Sequence, residues 1–217
     1  MSAPRNRRNR TGPEGDMRSG FTLLEMVMTI ALLAVFAVKI TSVIDTTTKT
    51  TESDIMRTTV DAQARQVLRQ IGFAVMGSHP ESLDPRMPAP LNQASLKYQV
   101  NLGISDGKVV WSDAEEIALE EGRRQIYWSD NPDAADERRV VWTSLVAPYL
   151  EGEIPNGMDD NGNGLIDEKG LSFTIAGQAI SMKLTLERER EGQEPLVTTV
   201  ETVVTCRNMV EGWARAE

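Results

Sequence analysis

The clearest pattern in the chain is a long apolar run near its amino terminus. From Met26 to Val38 only Thr29 is polar, and Lys39 closes the run. An apolar segment of this length, with basic residues on one flank, predicts a helix that inserts into a membrane with that flank on the cytoplasmic side. The basic residues all lie within the first twenty positions: Arg5, Arg7, Arg8, Arg10 and Arg18.

A helical period returns further along the chain. Over residues 56–75 the apolar positions are spaced mainly by three or four: Met56, Val60, Ala64, Val67, Leu68, Ile71 and Val75. This spacing predicts an amphipathic helix with one covered face, and the turn residues Gly77 and Pro80 should end it. Residues 41–54, between the two patterns, are rich in threonine, which is a poor helix former, so we expect a weak helix there.

After the helix, the pattern changes to that of strands. Residues 80–95 contain four prolines and form a connector. Beyond them, alternating or short apolar runs occupy 96–102, 109–111, 125–128, 139–142, 171–175, 180–186 and 196–206. This period of two predicts an antiparallel sheet with one packed face and one wet face. The predicted fold class is therefore α+β, with a spine helix over 21–79 (its membrane part about 21–44), the connector, and a β-rich domain over 96–217.

The residues that introduce the apolar run form a motif. Glu25 is unusual there, because an ionisable residue at the edge of an apolar segment is unfavourable in lipid and needs a partner charge. It ends the sequence Gly-Phe-Thr-Leu-Leu-Glu, which begins at Gly20. This sequence closely resembles the cleavage site of type IV prepilins and of the pseudopilins of type II secretion. The resemblance implies that a membrane peptidase cuts between Gly20 and Phe21 and methylates Phe21, so that residues 1–20 are a cleaved basic leader.

The same resemblance implies a role for Glu25, a function and a location. The Glu25 carboxylate would pair with the amino terminus of a neighbouring subunit, which leaves neither charge unpaired in lipid. The chain would be a structural subunit of a type II secretion pseudopilus or a type IV pilus-like filament. Its partners would be the prepilin peptidase and methyltransferase, other pilin or pseudopilin subunits, the assembly platform of the inner membrane, and lipid.

The expected location is the bacterial inner membrane. The chain would cross it once, with a cytoplasmic amino terminus and a periplasmic carboxy-terminal domain, before it enters a filament. The order of helix, connector and sheet is similar to that of the J-type minor pseudopilins, and the size of the chain and of its connector favours a minor subunit. A pilus, a secretion pseudopilus and a DNA-uptake fibre all remain open at this point.

Charge and composition narrow the function classes. The chain has a net charge of −9, and because its first twenty residues carry +3, the remainder carries −12. Such acidity argues against nucleic-acid binding and suits a solvated domain outside the cytoplasm. The sequence has no G-x-S-x-G motif, no metal-binding histidine pair and no phosphate-binding glycine loop, so we do not expect an enzyme. We expect the only cysteine, Cys206, to be a small buried residue and the only histidine, His79, to lie exposed in a loop.

A second motif lies at residues 156–168, a stretch rich in glycine, asparagine and aspartate. Side-chain oxygens recur at Asp159, Asn161 and Asn163, and Gly164 then permits a sharp bend. Alternate residues of a tight loop can direct hard oxygen ligands inward. The pattern therefore predicts a Ca²⁺-binding loop of the EF-hand type.

The carboxy-terminal end of this motif departs from an EF-hand. Leu165 is placed to give a backbone carbonyl and Asp167 occupies the ninth position, but the twelfth position holds Gly170 where a bidentate glutamate belongs. We expect Asp167 and Glu168 to close the ligand shell instead. Some pseudopilins carry Ca²⁺ in their globular domain, which is compatible with this expectation. Two alternatives are an acidic loop that binds nothing, and a membrane-anchored, calcium-dependent binding module that is not assembled in a filament.

Overall fold

The computed structural model describes residues 22–86, 88–190, 192 and 194–207. The chain divides into two compact units between Thr51 and Glu52. The first unit contributes the apolar part of a helix, and the second contains the rest of that helix together with all the strands. The α+β class predicted from the sequence is confirmed.

The helix α1 runs without a break over Leu23–Met76. Its apolar part contains an 18-residue window of mean hydropathy 2.3 with nothing buried, and within the described residues it is the one candidate for a membrane-crossing helix by length and composition. The expected weakness over residues 41–54 is absent. Thr41, Thr46 and Thr50 each donate a hydroxyl hydrogen bond to the backbone carbonyl four residues earlier, at 2.9–3.0 Å. These threonines therefore satisfy their own polar groups within the helix.

The second part of α1 packs on strands through the predicted stripe. The buried positions of the helix share one face: Val60, Ala64, Val67, Leu68, Ile71, Gly72 and Val75. A Cβ atom at Gly72 would lie 3.2 Å from Cγ1 of Val204 and 3.8 Å from Cε of Met182, so glycine allows the helix to approach the sheet closely there. This face forms the core together with Phe173, Ile180 and other residues of the last three strands.

Within the described residues, nine strands follow the helix. They are β1 (Ser95–Tyr98), β2 (Asn101–Ser105), β3 (Lys108–Trp111), β4 (Glu115–Glu120), β5 (Gln125–Asp130), β6 (Arg138–Thr143), β7 (Leu171–Ala176), β8 (Ala179–Arg188) and β9 (Leu196–Thr205). Two short 3₁₀ helices occupy Pro80–Ser82 and Glu121–Arg123.

These strands form three antiparallel sheets, where the sequence predicted one. The sheet orders are β1-β4-β5-β6, β2-β3 and β7-β8-β9. The strand β8 is the centre of the last sheet, and its burial extends over consecutive residues because both of its faces are covered. Residues 144–170 separate β6 from β7 and contain no named strand or helix, although isolated bridges join Val146 to Leu186 and Tyr149 to Lys169. This segment carries the acidic loop.

Candidate functional site: the amino-terminal motif and the acidic loop

The amino-terminal motif leads directly into α1. Thr22 precedes the helix, and its hydroxyl accepts a hydrogen bond from the backbone N–H of Glu25 at 3.3 Å, which is a helix cap. Glu25 lies in the first turn with its side chain exposed. The partial positive charge of a helix amino terminus favours a carboxylate at this place. Gly20 and Phe21, the predicted cleavage pair, lie outside the described residues.

The same segment matches a family model. Residues 16–38 match the model of the prokaryotic N-terminal methylation motif. The match supports the resemblance of this segment to type IV prepilins and pseudopilins. The match ends ahead of the β-rich unit of this pilin-like chain. Comparisons with curated proteins and with solved structures gave no match.

The acidic loop, residues 156–168, is held in shape by its own side chains. The carboxylate of Asp159 accepts hydrogen bonds from the backbone N–H groups of Gly162, Asn163 and Gly164 at 2.7, 3.1 and 2.8 Å. Gly164 has φ +86°, in the left-handed region that favours glycine. The structure thus contains a bend at Gly164, and Asp159 lies at its centre.

The asparagines and Asp167 stabilise the rest of the loop. The side-chain oxygen of Asn161 accepts from the N–H of Asn163, and that of Asn163 accepts from the N–H of Leu165, both at 3.0 Å. The Leu165 side chain is buried and anchors this half of the loop on the core. The Asp167 carboxylate accepts from the N–H groups of residues 156–157 at 2.9–3.0 Å, which joins the two ends of the loop.

Glu168 has a different environment from the other loop acids. It is 0 % exposed, and neither of its carboxylate oxygens has a hydrogen-bond partner. Glu153, which precedes the loop, is 8 % exposed and has one such oxygen, Oε2. Its other oxygen, Oε1, accepts from the N–H of Asn161 at 3.1 Å. Buried polar atoms without partners are rare in folded proteins, so these three oxygens mark an unusual place.

Burial and the charges around Glu168 shift the pKa of its carboxyl group. Burial raises the pKa of its carboxyl group, and the negative charge of Glu153 acts in the same direction. The side chain of Asn163 and the ammonium of Lys183 oppose this change in pKa. The Nζ atom of Lys183 lies 3.8 Å from Oε1 of Glu168, and both side chains are nearly inaccessible to solvent. The net effect is a pKa for Glu168 above that of an ordinary glutamate.

The described residues do not form a preassembled group of charged metal ligands. No three side chains of histidine, cysteine, aspartate or glutamate within it converge closely enough to hold a metal ion. A cation at the loop would thus depend on two carboxylates together with amide and backbone oxygens. Ca²⁺ accepts such mixed oxygen shells. The sequence motif did not include Glu153, because this residue lies three positions before the loop and its burial is a property of the fold.

His79 and Cys206 have structural surroundings. Nδ1 of His79 accepts a hydrogen bond from the N–H of Glu81 at 3.0 Å, and its ring meets that of Trp111 edge to face at 5.9 Å. His79 is half-buried, where the sequence had predicted an exposed loop residue, because Trp111 lies against it. Cys206 is buried beside the hydroxyl of Ser78, with its Sγ atom 3.5 Å away, as the sequence predicted for a small core residue.

Proposed function

We propose that this pilin-like chain is a minor structural subunit of a type II secretion pseudopilus or a type IV pilus-like filament. A prepilin peptidase cuts it between Gly20 and Phe21 and methylates Phe21, and the inner-membrane platform then assembles it with other subunits. The observation that carries this proposal is the methylation motif at residues 16–38, placed at the start of an apolar helix that nothing else in the described chain covers.

The exposed apolar face of α1 requires a covering. Every large apolar side chain from Leu23 to Ile44 is more than half exposed. Burying one such side chain contributes about 1.5–3 kcal/mol, so the fourteen in this segment represent on the order of tens of kcal/mol. This free energy excludes a stable state in water. Lipid supplies the covering before assembly, and the apolar helices of neighbouring subunits supply it in a filament.

Glu25 distinguishes a filament subunit from a simple anchor. A membrane anchor gains only the helix-terminus interaction from a carboxylate in its first turn, and the charge disfavours burial in lipid. In an assembly, the methylated amino terminus of a neighbouring Phe21 provides the opposite charge. The pair is then stabilised in a low-dielectric medium where a single charge would be excluded. A calcium-dependent module on a membrane stalk, the alternative, would leave both Glu25 and the cleavage motif without a role.

The β-rich unit is the part that faces the periplasm in this proposal. Its acidic character keeps it soluble and gives no basic surface for nucleic acid. The arginines of residues 1–20 hold the leader on the cytoplasmic side until it is removed. The expected partners are accordingly the peptidase and methyltransferase, the assembly platform, lipid and other pilin or pseudopilin subunits.

The mature amino terminus tests the proposal directly. The full chain is expressed in a bacterium that has a prepilin peptidase, extracted from membranes and examined by intact-mass and peptide mass spectrometry. We expect a chain that starts at Phe21 and carries one methyl group on its amino nitrogen. The control is a strain without the peptidase, in which the chain should keep residues 1–20. An intact chain in both strains would overturn the proposal and favour a permanent anchor.

A further inference from the structure

Two carboxylates beside the acidic loop lack the partners that burial demands. Both oxygens of Glu168 and one oxygen of Glu153 are buried without a hydrogen bond. Taking such a group out of water without compensation is strongly unfavourable, and more so for a charged group than for a neutral one. A folded protein resolves this either by protonating the carboxyl groups or by placing a cation between them.

Hydrogen bonds bring both glutamates to the acidic loop. Oε1 of Glu153 accepts from the N–H of Asn161 at 3.1 Å. The N–H of Leu150 donates to the backbone oxygen of Glu168, and the N–H of Glu153 donates to that of Leu150, both at 3.0 Å. A positive φ of +85° at Gly152 turns the chain there, and a Cβ atom would lie 3.1 Å from that of Asn161. The turn at Gly152 thus brings Glu153 against the loop. Leu150, which is hydrogen-bonded to both residues, places Glu153 and Glu168 at the same part of the loop.

Lys183 does not fully compensate this pair. Its Nζ atom lies 3.8 Å from Oε1 of Glu168, beyond hydrogen-bond distance, and it leaves Oε2 of Glu168 and Oε2 of Glu153 without a partner. One ammonium group also carries a single positive charge, whereas the two carboxylates carry two negative charges when ionised. The group of three side chains therefore has a net negative charge that a further cation could compensate.

We propose that Glu153 and Glu168 are the buried carboxylate ligands of a Ca²⁺ ion bound at the acidic loop. The side-chain oxygens of Asn161 and Asn163 and the backbone carbonyl of Leu165 complete the shell, while the carboxylates of Asp159 and Asp167 hold the loop through backbone N–H groups. The donors are all oxygen, without histidine or sulfur, and they lie on a glycine-rich loop that can adapt to six to eight ligands at about 2.3–2.6 Å. These features favour Ca²⁺ over transition metals and over Mg²⁺, which requires a small octahedral shell.

Glu153 is not among the ligands that the sequence motif predicts, and in this proposal it replaces Asp159 and Asp167 as the second carboxylate beside Glu168. It takes the role of the bidentate glutamate that position 170 lacks, but from the amino-terminal side of the loop. This proposal concerns the β-rich unit alone and does not depend on cleavage, methylation or filament assembly. Failure of one proposal would therefore leave the other untouched.

The first test measures binding and stability of the full chain in detergent after treatment with a chelator. Equilibrium dialysis against Ca²⁺ should give one tightly bound ion per chain. With Ca²⁺ at about a hundredfold excess over Kd, the melting temperature should rise by roughly 5–10 °C relative to chelator. Mg²⁺ at the same concentration should give a much smaller rise. Equal melting in Ca²⁺ and in chelator, or no bound Ca²⁺, would overturn the site, and equal effects of Mg²⁺ would overturn its assignment to Ca²⁺.

Isosteric variants test the two glutamates. Glu168→Gln and Glu153→Gln should each weaken Ca²⁺ binding by more than the roughly 10–100-fold that loss of an outer partner of a metal ligand causes. Glu151→Gln is the matched control, because it removes the same charge from the same segment, and the exposed Glu151 side chain bonds only the hydroxyl of Thr199. In chelator, Glu168→Gln should melt at or above the parent, because it removes the repulsion between Glu168 and Glu153. If all three variants lose Ca²⁺ affinity equally, the loss reflects the change in net charge and not the loss of a ligand, and the proposal is refuted.

A variant of Lys183 tests whether Ca²⁺ or Lys183 compensates the charge of the two glutamates. If Ca²⁺ compensates the glutamates, Lys183→Met removes a competing positive charge, and Ca²⁺ affinity should rise or stay level. If Lys183 alone compensates Glu168, the same variant should be destabilised equally in Ca²⁺ and in chelator, and that result would count against the site.

Discussion

Gly170 allows a quantitative test of how the acidic loop joins the core. The sequence motif has a glycine where a glutamate ligand would lie, and the structure gives a steric reason. A Cβ atom at this position would lie 1.9 Å from the backbone oxygen of Ala147 and 2.8 Å from Cγ1 of Val146, whereas ordinary contact begins at 3.4 Å. Because the first of these atoms belongs to the backbone, no side-chain rotation can relieve the overlap.

The expected cost of Gly170→Ala follows from what must move. The Gly170 oxygen accepts from the N–H of Thr185 at 2.8 Å, and its N–H donates to the Pro148 oxygen at 3.3 Å. The N–H of Ala147 also donates to the Thr185 oxygen at 2.9 Å. Overpacking costs about 1–3 kcal/mol and each weakened hydrogen bond about 1 kcal/mol. The variant should therefore lose about 3–5 kcal/mol, which lowers the melting temperature of a domain of this size by at least about 6 °C.

Thermal melting of the full chain in detergent, followed by tryptophan fluorescence, measures this loss. The matched control is Gly122→Ala in the 3₁₀ helix Glu121–Arg123, where a Cβ atom meets nothing within 4 Å. That variant should melt at or slightly above the parent temperature, because alanine lowers the entropy of the unfolded chain. If Gly170→Ala melts together with the control, the close approach of residues 146–148 to Gly170 is wrong.

Three further predictions concern the processing motif and the first sheet. Glu25→Ala should leave the chain in the membrane but keep it out of assembled filaments, and co-purification with other subunits at the parental level would contradict charge pairing. Gly20→Val should accumulate the longer, basic form on a gel, because the peptidase needs a small residue before the cut; normal processing would move the site elsewhere. The hydroxyl of Ser129 and the guanidinium of Arg139 lower the pKa of the Glu137 carboxyl group, so its stabilisation is present above the ordinary carboxylic pKa and is lost as pH falls through the lowered value. Glu137→Gln should flatten this acid limb of a melting curve measured against pH, and an unchanged limb would refute the assignment.

Periodicity was sufficient to predict most of the elements. The apolar run and the stripe of α1 follow from spacing alone, because a helix buries every third or fourth residue. The strand β4 (Glu115–Glu120) was missed because it has two adjacent buried residues, Ile117 and Ala118, among three glutamates and therefore shows no alternation. Its pairing with β1 and β5 is a tertiary property. The division into three sheets likewise depends on long-range pairing that no local pattern records.

The candidate sites also show that sequence patterns predict local features better than features that depend on the folded structure. The processing motif is contiguous, so sequence alone predicts Gly20, Phe21 and Glu25 as a group. The buried pair of glutamates is different, because a turn at Gly152 brings one of them to the loop and the packing of the other removes it from water. Exposure and hydrogen-bond satisfaction are properties of the folded chain. The structure therefore makes Glu153 a candidate ligand that the motif could not predict.

The threonines of α1 bear on how a subunit could change its surroundings. Transfer from a bilayer to a protein fibre replaces hydrocarbon by helix neighbours, and any hydroxyl that relied on an outside acceptor would have to exchange it during extraction. Thr41, Thr46 and Thr50 carry their acceptors with them, in carbonyls of their own helix. The hydroxyls of these three residues therefore keep the same hydrogen-bond acceptors in a bilayer and in a fibre. Threonine is a poor helix former, but these three threonines need no hydrogen-bond acceptor from the surrounding lipid or protein.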